Sequence, residues 1–124
     1  MARAVLVLSV VVAIVAGADA LTGPSAAASA LRMHVTPRSG PSPALIRIQL
    51  IVEPANDNRA LRLTIESDAY YRSSAIELQG SSSQRVHVIE FRSVPAGVHE
   101  VRGAIVDDRG SVRATAYEYI RIFE

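Results

Sequence analysis

Cysteine and lysine are absent from the 124 residues, tryptophan is absent too, and the aromatics amount to four tyrosines and two phenylalanines. Without cysteine there is no disulfide framework, no thiolate to act as nucleophile or metal ligand, and no lipobox for the bacterial lipoprotein route. The domain is therefore held together by its core alone. The thirteen basic residues are all arginine, scattered rather than clustered, and the formal charge is +1. That balance excludes both a nucleic-acid footprint and an acidic tail. No sustained helical stripe follows residue 30, and no internal repeat is visible.

What is present begins with "MARAVLVLSVVVAIVAGADA". Arg3 and the amino terminus supply a positive start, Ala4–Ala18 is uncharged and apolar apart from Ser9 and Gly17, and Ala18-Asp19-Ala20 offers a small-x-small cleavage site. These are the three parts of a secretory signal. The reading places a signal peptide at 1–20, touching the membrane only during export, a flexible Pro/Gly-punctuated leader at 21–30, and one domain at 31–124. The address is periplasmic or secreted. A retained membrane anchor is the alternative, although a spanning helix wants roughly 20 apolar residues.

From Leu31 the pattern has period two. Ile46, Ile48, Leu50 and Val52 fall on one face with Arg47, Gln49 and Glu53 on the other, and "ALRLTIES" repeats the device. With "LRMHV" and runs near Ser74–Leu78, Arg85–Phe91, Val98–Val106 and Val112–Ile122, this predicts about seven short strands separated by turn signals. Such spacing is that of an antiparallel β-sandwich. His99, Val101, Gly103 and Ile105 are expected to face inward, Asp107–Gly110 to form a type I turn, and Val112, Ala114 and Ala116 to face inward on the return strand.

The stretch "IEFRSVPAGVHEVRGAIVDDRGSVRA" resembles the last three strands of fibronectin type III-like and related immunoglobulin-like β-sandwich domains of exported bacterial proteins of unassigned function. The resemblance covers about residues 85–116 well and 31–84 loosely. It implies an immunoglobulin-like fold and a partner-binding role, while transferring no activity. His99 stands where the family usually has a corner tyrosine, so its expected part is a hydrogen bond to a nearby backbone carbonyl.

Chemistry-bearing motifs are few. There is no Gly-x-Ser-x-Gly elbow. Glu66, Glu77, Glu90, Glu100 and Glu118 are single charges that no motif unites as glycosidases require. His34, His87 and His99 lack metal-ligand spacing. "ANDNRA" lacks the glycine and terminal glutamate of a calcium loop and reads as a turn. The chain is thus expected not to be an enzyme and to need no cofactor or metal. The candidate function lies on a surface. Arg113, Thr115, Tyr117, Tyr119, Arg121 and Phe123 share one face of the last strand, Tyr and Arg are favoured at binding hot spots, and an edge strand there could accept a partner strand. Docking of another extracytoplasmic protein through Arg113, Tyr117, Tyr119 and Arg121, by an edge strand or an end loop, is the first expectation. The alternative is a small-ligand or carbohydrate site using Tyr70, Tyr71 and Arg72.

Overall fold

The computed structural model describes residues 30–124; the expected signal peptide and all of the leader but Ala30 lie outside them. Ala30 itself is buried against the core, and its carbonyl accepts the Glu53 N–H at 2.8 Å. Packing therefore begins one residue before the expected boundary. No helix of the described residues is long and apolar enough to cross a membrane.

Eight strands form two sheets: β1 (Leu31–Thr36), β2 (Ser39–Pro41), β3 (Ala44–Val52), β4 (Asn58–Ser67), β5 (Tyr70–Glu77), β6 (Val86–Val94), β7 (Gly97–Asp107) and β8 (Val112–Phe123). One sheet runs β1-β3-β6 and the other β2-β8-β7-β4-β5. The all-β sandwich read from the period-two pattern is present. β-branched and Leu residues at alternate positions bury one side of each strand: Ile46, Ile48 and Leu50 on β3, Leu61, Leu63 and Ile65 on β4, and Val101 and Ile105 on β7 have no exposed surface.

Two expectations change. The strand number is eight rather than about seven, and one pairing is parallel, because Ser39–Pro41 forms a three-residue strand beside Arg121–Phe123. Pro37 and Pro43 bracket that strand, and proline has no N–H to carry a ladder further. Val112 is exposed rather than inward. A register shift between Ile105 and Val106 re-aims the start of β8, as an extra residue on one strand does, so the inward alternation starts only at Ala114.

The β7–β8 turn forms as its sequence dictates. Gly110 N–H donates to the Asp107 carbonyl at 3.0 Å, and Gly110 takes a φ of +81°, which a residue with Cβ resists. Asp107 Oδ1 accepts the Arg109 and Ser111 N–H groups, both at 2.9 Å. Those bonds hold its carboxyl below the ordinary value of 3.8. A lowered folded pKa means that the stabilisation is present above the unfolded pKa and is lost as pH falls through the folded one. The melting temperature of Asp107→Ala is expected to lie below that of the parent near neutrality. The gap should close in acid as pH falls through the lowered folded pKa, since both chains then lack the carboxylate. Melts recorded from pH 7 to pH 2 check this, and a gap unchanged in acid would assign the effect to the turn's shape instead.

Candidate functional site

The outer face of the five-stranded sheet is set by strand register. Tyr117 lies opposite Arg102, Tyr119 opposite Glu100, and Arg121 opposite Val98. Glu100 continues to Glu66 and Arg102 to Thr64 on β4, then to Tyr71 and Ser73 on β5. Across this face Val98, Tyr117, Tyr119 and Phe123 are 56%, 58%, 60% and 49% exposed. Four large apolar side chains left open on one side of one sheet are more than scattered surface hydrophobes.

Polar contacts tie the aromatic strip to β7. Tyr119 Oη donates to Glu100 Oε2 at 3.1 Å, and Arg102 Nη2 donates to Glu100 Oε1 at 3.3 Å. The hydrogen bond to Glu100, aided by that carboxylate's charge, raises the Tyr119 phenol above its ordinary value of 10.0. Its ring is thereby oriented while its faces stay open. Tyr117, Tyr119 and Arg121 occupy the positions expected of them. Arg113 sits apart, with Nε 3.8 Å from Asp57 Oδ1 at the end of the sandwich. Val98, Glu100 and Arg102 are the neighbours that sequence reasoning missed. The alternation in "GVHEVRGAIV" was the available signal, but pairing it residue by residue with β8 required the bulge to be known.

The edge of β8 is less open than a last strand suggests. β2 covers Arg121–Phe123, leaving Val112–Ile120 without a further strand among the described residues. Glu118 lies opposite the buried Val101, on the inner side, and pairs with Arg38 at 3.4 Å. An inward charge and a covering strand are two ways in which sheet edges resist added strands. The face, rather than the edge, is the available surface.

The strand separates Tyr71 from Tyr70 and Arg72, because neighbours on a strand point to opposite faces. Tyr70 turns in against the core and meets the His99 ring edge-on, with centroids 5.5 Å apart and planes at 82°. Tyr71 joins the outer face. Arg72 lies opposite Ile65 at the sheet margin and is exposed. His99 is fully buried, and its Nε2–H donates to the Pro95 carbonyl at 2.8 Å. A carbonyl can only accept, so Nε2 carries the proton, and Nδ1 is left buried without a partner.

At the opposite end, carboxylate oxygens of Asp57, Asp107 and Asp108 lie within 4.8 Å of one another. Asp57 comes from the β3–β4 turn and the others from the β7–β8 turn, each of which reads as ordinary turn chemistry in sequence. Arg113 offsets the charge of Asp57, and the backbone N–H groups offset that of Asp107. These three carboxylates are the acidic group that could hold a cation among the described residues.

Fold and surface together define a two-sheet all-β sandwich with an aromatic and arginine-bearing outer face. No family model and no curated protein sequence matches the chain. Among solved structures, a superoxide reductase (neelaredoxin) from Ignicoccus hospitalis is similar, with a TM-score of 0.55 at 9% identity over 74% of this chain and 79% of that one. At that identity the likeness is one of fold. It nevertheless corrects the expectation that the chain is not an enzyme. That expectation rested on the absence of nucleophile, acid/base and cofactor motifs, and the fold is one on which an enzyme is built.

Proposed function

We propose that the chain is an exported immunoglobulin-like module that docks another extracytoplasmic protein through the outer face of its five-stranded sheet. The strand order supports the immunoglobulin-like part of the reading. β1, β3 and β6 share one sheet while β4, β7 and β8 share the other, as in the two sheets of that plan. The signal-like first twenty residues support export. The docking part is carried by one observation: Tyr117, Tyr119, Val98 and Phe123 stand open on the same face beside Arg121 and Arg102. Aromatic and arginine side chains in one patch are the composition of interface centres.

Photo-reactive residues at 117 and 119, and separately at 71, test the reading in the native host's envelope. A specific protein adduct at 117 and 119, absent at 71, identifies the partner. With that partner in hand, Tyr117→Ala/Tyr119→Ala is expected to weaken binding by about thirtyfold, as loss of a hot spot does, with the melting temperature almost unchanged. No protein adduct at 117 or 119 would overturn the proposal.

A further inference from the structure

A second part of the same face has a chemistry of its own. Between β4 and β5 lies a depression of about 360 Å³, lined by Arg62, Thr64, Tyr71, Ser73 and Ala75 among others. That volume lies within the range of small-ligand sites. No carboxylate lines it. Its polar side chains are a guanidinium, which only donates, and hydroxyls such as those of Thr64 and Ser73, which both donate and accept.

Arg62 is open on both sides. Its cross-strand neighbours are Ala75 on β5 and Ala104 on β7, so neither side of the guanidinium is walled off by a long side chain. Among the described residues it makes no ion pair, like six other arginines, while Arg38, Arg47, Arg92, Arg102 and Arg113 each have an acidic partner. At the other end stands Tyr71, 61% exposed. Tyr71 pairs with Glu66, four residues along β4 from Arg62, which separates the two ends by about 13 Å. Ser73 and Thr64 lie side by side in the middle.

An apolar ring face at one end, hydroxyls in the middle and an unpaired cation at the other end describe a specific occupant. We propose that this depression binds a short acidic oligosaccharide, with one pyranose ring stacked on Tyr71 and the carboxylate of a uronate unit held by Arg62. Thr64 and Ser73 bond the sugar hydroxyls between them. A neutral glycan would leave the charge of the guanidinium unmatched, and a small free carboxylate would leave Tyr71 unused. Charge and shape together favour the acidic sugar. The depression lies on β4 and β5, apart from Tyr117 and Tyr119 on β8.

Titration calorimetry of the full chain with oligogalacturonides, with neutral cello-oligosaccharides and with acetate tests the proposal. Binding of the oligogalacturonides alone is expected. Arg62→Gln should weaken it by about tenfold or more, the loss of a charge-assisted bond, while Arg62→Lys retains part of it. Tyr71→Ala should weaken it comparably, and Tyr117→Ala should leave it unchanged. No binding of oligogalacturonides overturns the proposal, as does equal binding of the neutral sugars or insensitivity to Arg62→Gln in a variant that melts like the parent. Weakening by Tyr117→Ala but not by Tyr71→Ala would place the sugar elsewhere and likewise overturn it.

Discussion

Truncating Leu50 to alanine is expected to destabilise the domain by about 2–5 kcal/mol, the range for removing a large buried aliphatic side chain. Leu50 is fully buried at the centre of β3. It also defines the space above Gly103 on β7 in the opposite sheet. A Cβ at Gly103 would stand 3.0 Å from Leu50 Cδ2 and 3.3 Å from Met33 Cε. Glycine is there because the two sheets approach too closely for a methyl group beside those side chains. In the parent, Gly103→Ala forces Leu50 and Met33 to give way and is expected to cost about 1 kcal/mol, as mild overpacking does. After Leu50→Ala the same methyl enters vacated space and should recover stability. The double-mutant cycle is expected to show a coupling above about 0.5 kcal/mol in the compensating direction. Urea unfolding of the four proteins measures it, and strict additivity would mean that Gly103 and Leu50 do not share the contact.

His99→Ala is expected to cost about 2–4 kcal/mol, combining a cavity under the end of the sandwich with loss of a hydrogen bond. For a domain of this size that lowers the melting temperature by roughly 4–8 °C per kcal/mol. His99→Leu separates the two contributions. Leucine keeps most of the volume and removes the bond to Pro95 together with the unpartnered Nδ1. Pro95 is exposed, so water can replace the lost donor at its carbonyl. His99→Leu should therefore cost only about 1 kcal/mol. Equal losses for the two variants would show that the hydrogen bond, rather than packing against Tyr70, anchors the corner.

Local pattern carries the sandwich well and the surface only in part. Alternation in "ALIRIQLIV" and "LRLTI" allows one buried face and one open face, and burial follows that pattern. The turn at Asp107–Gly110 was legible because its hydrogen bonds are made within five residues. The parallel β2 was not legible. Three residues between prolines have no periodicity, and what makes them a strand is Arg121–Phe123 beside them.

The outer face divides in the same way. That Tyr117, Tyr119 and Arg121 share a side follows from the two-residue repeat of any strand. Their partners Arg102 and Glu100, and the arrival of Tyr71 on that same face, follow from the order β8-β7-β4-β5, which no local signal encodes. Neighbouring residues separated equally firmly: Tyr70 went to the core with His99, and Tyr71 to solvent. Within an uninterrupted strand the local pattern says which residues face together, because the pleat is a property of the backbone; Val112, at the bulge, is where it fails. Long-range packing alone settled which strands lie side by side. It thereby decided that Asp57 meets Asp107, that Glu118 guards the edge of β8, and that Arg62 stands unpaired between two alanines. Those meetings depend on contacts between residues far apart in the chain.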